Sequence, residues 1–420
     1  MFKRPRGTRD LLPDEMAARR AVESVLRQTF ESFGYGEIQT PTFENLELIT
    51  AKSGVEITGH LYDFTDKSDR NLALRPELSA PTVRLYVNEL RTRPKPRKLY
   101  YFENCFRYER PQKGRYREFW QAGVEQIGSA RPEAEAEALA LAVACLERLE
   151  LKDFRLSIGH LGILRSLLAS HGLDDQGQNQ VIGMLDRGDE EGLLGLSLPP
   201  GAREDLTAVI GLKGEGAAVL SKAREVIGTR CGDVLDSFDA VLSLLRGFGV
   251  KEPVVDLGIA RGLDYYTGMV FEIRAEGLGA QDQICGGGTY SLVKVFGGGD
   301  VPSCGFGFGF DRLMLALESQ GRLPASALGP RVFVVPESRK MLNRAIEIIS
   351  DLRKEVSCEL ELMGRKLGKA LSYANTEGIP YVLIVSEDTE DEEGYKLILR
   401  DMSSGEQKTI DYREVADEVG

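Results

Sequence analysis

A run of basic residues between two predicted strands is the strongest chemical signal in this sequence. Within the stretch Glu103–Gly128, the segment from Arg107 to Arg117 holds five cations against a single acid, Glu109. The cations are Arg107, Arg110, Lys113, Arg115 and Arg117. Because the whole chain carries a formal charge of −12, this cluster is a local feature and favours a polyanion site. The alternative is a hairpin whose charged tip is simply solvated.

The strand after this loop carries polar groups on one face. Side chains alternate along a strand, so Phe119, Gln121, Gly123 and Glu125 share a face. An amide and a carboxylate beside a bare glycine either contact solvent or line a polar site. Since the opposite face is apolar, we expect a site.

Alternating glycine and phenylalanine in 305–310 predict a second unusual strand. Its glycines leave one backbone face bare, so a flat ring such as a nucleobase can lie on it. Arg312, at the start of the next helix, can cover the other side of such a ring. The alternative is a strand whose glycines admit a neighbouring helix. A dinucleotide-binding turn is excluded, because its glycines must lie between strand and helix.

Arg261 follows an apolar strand, where an arginine needs a carboxylate or phosphate partner. An internal pair with Asp264 is the alternative. The tyrosines nearby are either core aromatics or hydrogen-bonding walls of a pocket. These are Tyr265, Tyr266 and Tyr290.

Glu77 and Ser79 stand at a predicted helix entry. Such residues usually cap the helix. A carboxylate aimed into a pocket would instead suit an ammonium group. Taken together, arginines, a bare strand and carboxylates predict a site for a nucleotide and an amino acid.

The chain of 420 residues fits two or three domains. We expect a first domain over 1–325, with a mostly helical insertion at about 163–235, and a small α/β domain over 331–420. Within the first domain, Cys285–Tyr290 is predicted to be a glycine-rich loop. Asp311 is predicted to be the N-cap of the helix that follows the Gly/Phe strand.

Composition excludes several classes of protein. No apolar run approaches the roughly 18 residues of a membrane-spanning helix. The six cysteines contain no CxxC pair, which argues against a zinc site and for a reducing, cytoplasmic setting. The three histidines are too dispersed to suggest a metal site, and none is predicted.

Several motifs resemble those of class II aminoacyl-tRNA synthetases, in the form found in the histidyl-tRNA synthetase family. FRYERPQKGRYREFWQAGVEQIG resembles motif 2, GFGFGFDRL resembles motif 3, and Pro41 is placed like the motif 1 proline. RGLDYYTG and CGGGTYSLV are similar to the two histidine-specific segments. The resemblance runs from GTRD near the N-terminus to the last domain and is weak in the insertion. Two departures are GGGTYSLV, where the family often has GGRYDGLV, and Trp120, where bacterial members often have histidine.

The resemblance implies a fold and an activity. The fold would be an α+β catalytic domain on an antiparallel sheet flanked by helices, followed by a three-layer α/β anticodon-binding domain. The activity would be ATP-dependent ligation of L-histidine to tRNA(His) through a histidyl-adenylate, with Mg²⁺ carried on the ATP phosphates, in a homodimer. The alternative is the non-catalytic regulatory paralogue that partners the ATP phosphoribosyltransferase of histidine biosynthesis. Such paralogues tend to lack the catalytic arginine, the full motif 2 loop and the last domain, all present here.

The resemblance also implies residue roles. For catalysis and ATP binding it implies Arg107 and Arg261 at the α-phosphate, Arg115 at the terminal phosphates, Phe119 and Arg312 around the adenine, and Glu109 in the same site. For histidine binding it implies Glu77, Ser79 and Gln121 at the amino group, Glu125 and Tyr266 at the imidazole, with Tyr265 and Tyr290 beside them, and Arg261 near the carboxylate. For the tRNA acceptor end it implies Arg110 and Gln112.

Overall fold

The computed structural model describes residues 2–51, 58–260, 265–279, 282–324, 329–387 and 395–419. The chain divides into two compact units, residues 1–324 and 325–420. Within the described part, no helix has both the length and the apolar character that crossing a bilayer requires.

The first unit contains twelve strands and twelve helices within its described residues. The strands are β1 (Gly36–Glu37), β2 (Phe43–Asn45), β3 (Asp63–Thr65), β4 (Asn71–Leu74), β5 (Arg97–Phe106), β6 (Glu118–Ile127), β7 (Phe154–His160), β8 (Lys213–Gly214), β9 (Val254–Asp256), β10 (Tyr266–Ala275), β11 (Gln283–Tyr290) and β12 (Ser303–Gly309). The helices are α1 (Pro13–Ser32), α2 (Leu46–Thr50), α3 (Ser79–Leu85), α4 (Pro132–Arg148), α5 (Leu161–Ser170), α6 (Asp175–Arg187), α7 (Glu190–Gly195), α8 (Ala202–Ile210), α9 (Gly216–Ile227), α10 (Gly232–Gly247), α11 (Leu292–Val295) and α12 (Phe310–Ser319). A π-helical turn (Tyr86–Leu90) extends α3, and a 3₁₀ turn (Gly228–Cys231) precedes α10.

One large sheet organises this unit. Among the described residues, nine strands pair in the order β1-β5-β6-β12-β11-β10-β7-β9-β8. The strands from β5 to β7 in this order are all antiparallel, while β1 with β5 and β7 with β9 are parallel pairs near the edges. The expected antiparallel sheet is therefore confirmed, within a sheet that is mixed overall. A smaller sheet has the order β2-β4-β3.

Helices cover one face of the large sheet. The alanine-rich helix α4 packs against α1, α10 and β12, because its small side chains allow close approach. The core on this face includes Ala122, Val124 and Phe306. The neighbours of these residues along β6 and β12 therefore point to the opposite face, where the polar groups lie.

Two local predictions are wrong. Cys285–Tyr290 lies in strand β11 instead of a loop, because its glycines let three strands approach closely. A Cβ atom at Gly287 would stand 2.3 Å from the carbonyl oxygen of Gly305 on β12. Asp311 does not cap α12: Gly309 occupies the cap position, and the Asp311 carboxylate is held by other partners.

The second unit is a three-layer α/β fold, as expected. Its elements are β13 (Val332–Pro336), α13 (Leu342–Leu352), β14 (Cys358–Leu360), α14 (Leu367–Thr376), β15 (Tyr381–Glu387), β16 (Tyr395–Asp401), β17 (Gln407–Thr409) and α15 (Tyr412–Val419). The strand order is β14-β13-β15-β16-β17, with the first three parallel. Helices α13 and α15 contribute to one core and α14 to another, so the sheet lies between them. The sequence patterns did not predict α15.

Candidate active site

The register of three strands builds the floor of the site. Strand β12 pairs with β6 so that Gly305 lies opposite Glu125 and Gly307 opposite Gly123. On its other side, β6 pairs with β5, and Gly123 lies opposite Tyr101. Polar groups from two strands and bare glycines from two therefore share one sheet face.

A cleft of about 290 Å³ opens on this face. Its walls include every described residue that was predicted to bind ATP: Arg107, Glu109, Arg115, Phe119 and Arg312. Gln121, Gly307 and Gly309 also line it. The sequence-based grouping of these residues therefore corresponds to one continuous surface.

The cleft provides a slot for a flat ring. A Cβ atom on Gly307 would meet nothing closer than 3.9 Å, so the backbone there is bare. Arg312 is fixed beside it, since its Nε donates to the Gly114 carbonyl at 3.2 Å and an Nη to the Gln283 carbonyl at 3.1 Å. Gly305 differs, because its missing side chain leaves space that the Glu125 carboxylate fills.

Three arginines, Arg107, Arg115 and Arg312, line the cleft near Glu109. Arg107 donates from Nε to the Pro76 carbonyl at 2.9 Å, and its guanidinium lies 5.3 Å from the Phe119 ring centroid. Arg107 and Arg115 share the carboxylate of Glu109, at 3.9 and 2.7 Å. Burial, and next the charge of Arg115, lower the pKa of Arg312. Convergence of cations around one carboxylate favours binding of an anion with several charges.

Glu125 is the centre of a second, deeper part of the site. Ser79 Oγ donates to one of its carboxylate oxygens at 2.6 Å, and Tyr290 OH donates to the other at 2.5 Å. Tyr101 OH adds a third hydrogen bond at 3.3 Å. Glu125 is only 1% exposed, and this burial raises its pKa to about 7. The carboxyl group can therefore accept or release a proton near neutral pH.

The tyrosines form one wall beside Glu125. The ring centroids of Tyr265 and Tyr266 are 4.9 Å apart, and those of Tyr265 and Tyr290 are 5.5 Å apart. All three are buried. Tyr290 combines the two alternatives considered for it, since its ring is buried and its hydroxyl binds the carboxylate.

The Glu77 side chain binds the first amides of helix α3, although Leu78 occupies the N-cap position. Its two carboxylate oxygens accept hydrogen bonds from the amides of Ser79, at 2.6 Å, and Ala80, at 3.0 Å. Burial raises the pKa of Glu77. On the neighbouring strands, Cys105 Sγ donates to Gln121 Oε1 at 3.3 Å, which orients the amide.

Some predicted residues lie away from this cluster. Arg110 and Gln112 are exposed on the loop 107–117, where Gln112 and Arg115 form an isolated backbone bridge. Arg261, the predicted catalytic arginine, and Asp264, its alternative partner, lie outside the described residues.

The structure adds residues that sequence reasoning missed. Tyr101 contacts Glu125, and alternation along β5 could have indicated it, since Tyr101, Glu103 and Cys105 share a face. Asp186, at the end of α6 in the helical insertion, lines the cleft. No local pattern marks Asp186, because only the tertiary fold brings it there.

In the described ranges, no three His, Cys, Asp or Glu side chains are grouped so that they could hold a metal ion. All six cysteines are free thiols.

Comparison with known families decides the relationship. The profile described as Histidyl-tRNA synthetase matches residues 7–313, and one described as Anticodon binding domain matches residues 331–420. The chain belongs to the histidyl-tRNA synthetase family. The expected family is thus confirmed over nearly the whole chain.

Relatives in this family match along their full lengths. A protein named Histidine--tRNA ligase from Methanosarcina acetivorans is 48% identical, covering 99% of this chain and 98% of the relative. One of the same name from Methanocaldococcus jannaschii is 45% identical, covering 99% of each. Among solved structures, the apo histidyl-tRNA synthetase of S. aureus has a TM-score of 0.73 at 26% identity, covering 100% of each chain. The relatives from these two organisms thus share more sequence with this chain than the S. aureus protein does.

Gly305 and Gly307 of β12 predict opposite outcomes for the same substitution. Gly305→Ala should destabilise the fold by about 3 kcal/mol, because its Cβ would stand 2.0 Å from a Glu125 carboxylate oxygen. Gly307→Ala should fold normally and weaken ATP binding about tenfold, because its methyl group enters the slot. Thermal melting and ATP titration of both variants check this. Normal ATP binding by a folded Gly307→Ala protein would contradict the assigned slot.

The pKa of Glu125 predicts a stability change with pH. The folded protein keeps this proton until the pH passes about 7, while an unfolded chain releases it near pH 4. The stabilisation that this bound proton gives to the folded state is therefore complete at low pH and is lost as the pH rises through 7. The Glu125→Gln variant has no proton to lose at this position. As the pH rises from 5 to 8.5, the free energy of unfolding of the variant should therefore increase by about 2 kcal/mol relative to that of the wild type.

Urea unfolding across this pH range measures the difference. Glu133→Gln is the matched control, because Glu133 is exposed and its pKa is lowered to about 2 by Arg131. It should follow the wild-type curve. If Glu125→Gln also follows that curve, the raised pKa is refuted.

Proposed function

We propose that this chain ligates L-histidine to tRNA(His), using ATP and passing through a histidyl-adenylate. One observation carries the proposal: an arginine-lined cleft with a bare backbone at Gly307 lies on the same sheet face as the buried Glu125 pocket. The first part suits ATP, and the second suits the amino acid. A single strand, β6, contributes Phe119 and Gln121 to the cleft and Glu125 to the pocket.

Recognition of histidine rests on Glu125 and the tyrosines beside it. An imidazole ring carries one N–H donor and one acceptor nitrogen, which a carboxylate and a tyrosine hydroxyl complement. Tyr266 takes the second nitrogen, with Tyr265 and Tyr290 as walls. An apolar amino acid would leave these buried polar groups unpaired, so it would be rejected strongly.

The amino and carboxylate groups of histidine lie toward the cleft. Glu77, Ser79 and Gln121 bind the amino group, and Arg261 binds the carboxylate. Glu77 supports this role only in part, since its oxygens already accept two amide hydrogen bonds. Each carboxylate oxygen has a second lone pair, which leaves room for an ammonium donor.

ATP occupies the cleft with its adenine between Phe119 and Arg312, above Gly307. Arg107 and Arg261 bind the α-phosphate, and Arg115 binds the terminal phosphates. Mg²⁺ would be carried on these phosphates and would neutralise part of their charge.

The chemistry proceeds in two substitutions. A carboxylate oxygen of histidine attacks the α-phosphorus, and pyrophosphate leaves with the electrons of the broken P–O bond. The terminal ribose hydroxyl of the tRNA then attacks the carbonyl carbon, loses its proton, and releases AMP. Fixed guanidinium groups stabilise the negative charge that builds up on phosphorus in the first step.

The tRNA contacts involve both units. Arg110 and Gln112 are exposed on the motif 2 loop (residues 107–117) and meet the acceptor end. The domain at 331–420 binds the anticodon bases. The catalytic domain spans 1–325 and includes the insertion at about 163–235. A homodimer and a cytoplasmic location complete the proposal, the second supported by six free thiols.

The regulatory paralogue is the weaker alternative. A solved structure from Bacillus halodurans C, titled an ATP phosphoribosyltransferase regulatory subunit/histidyl-tRNA synthetase, is similar at 28% identity with a TM-score of 0.76. It covers 89% of this chain. The full motif 2 loop, Arg261 and the 331–420 domain favour catalysis here.

Amino-acid-dependent ATP–pyrophosphate exchange tests the proposal. Each of the twenty amino acids is supplied in turn without tRNA. Histidine alone should support rapid exchange, and Arg261→Ala should abolish it while the protein stays folded. Absence of a histidine signal from the wild type would move the assignment to the regulatory function.

Two arginines of the motif 2 loop should affect different steps. Arg107→Ala should slow exchange at least 100-fold, since it removes a charge that stabilises the transition state. Arg110→Ala should spare exchange and slow charging of tRNA about tenfold. Lys113→Ala, also exposed on the loop, is the control for loss of charge in the exchange assay. Equal losses of exchange in Arg107→Ala and Lys113→Ala would contradict the role of Arg107.

A further inference from the structure

The N-terminal segment runs directly along the motif 2 loop. The Gly7 carbonyl accepts a hydrogen bond from the Arg117 amide at 2.9 Å. A Cβ atom at Gly7 would stand 2.8 Å from the Arg117 side chain and 2.9 Å from Pro111, and its φ is +88°. Glycine is needed here because a side chain would push the segment off the loop.

Arg9 then joins two walls of the nucleotide cleft. Its guanidinium carbon lies 4.3 Å from the ring centroid of Tyr116, on the motif 2 loop. The same guanidinium forms an ion pair with Asp311, on helix α12. Tyr116 and Asp311 both line the cleft. Arg9 therefore connects the loop to the helix that carries Arg312.

Asp311 does not depend on Arg9 for its charge balance. Arg19 of α1 donates to the same oxygen at 2.6 Å, and the Trp120 amide donates to the other oxygen at 2.9 Å. Arg19 is itself held over the Phe310 ring at 4.7 Å. Loss of Arg9 would thus leave no unpaired buried carboxylate, and its distinct contribution is the contact with Tyr116.

We infer that Arg9 is a positioning residue, which holds the motif 2 loop against the nucleotide cleft and so favours ATP binding. The inference rests on the proposed function, because it concerns the ATP site. Arg9 acts through Tyr116 and need not touch the nucleotide. A cation–π contact of this kind is strong enough to change a binding constant about tenfold.

The chain offers a direct probe of this effect. Trp120 is the sole tryptophan in the sequence and lines the cleft, so its fluorescence can report ATP binding without any turnover. Arg9→Ala should raise the Kd for ATP with Mg²⁺ about tenfold. The KM for histidine in pyrophosphate exchange should stay within twofold, which separates loop positioning from general damage to the fold. Arg9→Lys should recover little of the affinity, because an ammonium group lacks the planar face that stacks on Tyr116.

Two further variants complete the test. Arg4→Ala is the matched control: Arg4 lies on the same segment, is 57% exposed and should bind ATP like the wild type. Gly7→Ala displaces the segment by a different route and should reproduce the loss of ATP affinity. The inference is overturned if Arg9→Ala binds ATP within twofold of the wild type, or if its KM for histidine rises in parallel. Wild-type protein that binds ATP but shows no histidine-dependent exchange would refute the proposed function and leave the positioning role standing.

Discussion

The close packing of Glu125 against Gly305 is the constraint on which the site depends. The carboxylate fills the volume that a side chain at Gly305 would need, so strand β12 can pair with β6 only if that position stays bare. Three hydroxyl groups then satisfy the buried carboxylate and fix its direction. Fold and recognition therefore use the same contact: the pairing of two central strands creates the pocket that we assign to the imidazole.

The Glu125 pocket and the neighbouring cleft differ in the charge of the groups that line them. At Glu125 the groups that hydrogen-bond the carboxylate are neutral hydroxyls, and burial, with the nearby charge of Glu77, raises the pKa to about 7. In the cleft, Arg107 and Arg115 flank the carboxylate of Glu109, and burial together with the charge of Arg115 lowers the pKa of Arg312. A bound polyphosphate would offset the repulsion among the arginines of the cleft. A neutral ring with hydrogen-bonding nitrogens suits the Glu125 pocket instead. The segment around Arg9 supports the cleft, because it contacts the motif 2 loop that carries Arg107 and Arg115.

Sequence patterns predicted the strands of the site better than its connections. Period-two alternation placed Gln121 and Glu125 on one face, and the β6 register bears this out. The glycines of Cys285–Tyr290 were misread as a loop, since glycine marks close approach of strands as well as turns. Asp311 was misread as a cap, because its partners Arg19 and Trp120 are distant in sequence and only folding brings them together. Asp186 was missed for the same reason.

A crystal structure of the protein with ATP and L-histidinol tests the central claim most directly, since this alcohol keeps the imidazole and amino groups but cannot be activated. The account predicts an imidazole nitrogen within about 3 Å of the Glu125 carboxylate. It also predicts the adenine between Phe119 and Arg312, above the bare backbone at Gly307. An imidazole bound away from Glu125, or an adenine outside that slot, would contradict the account.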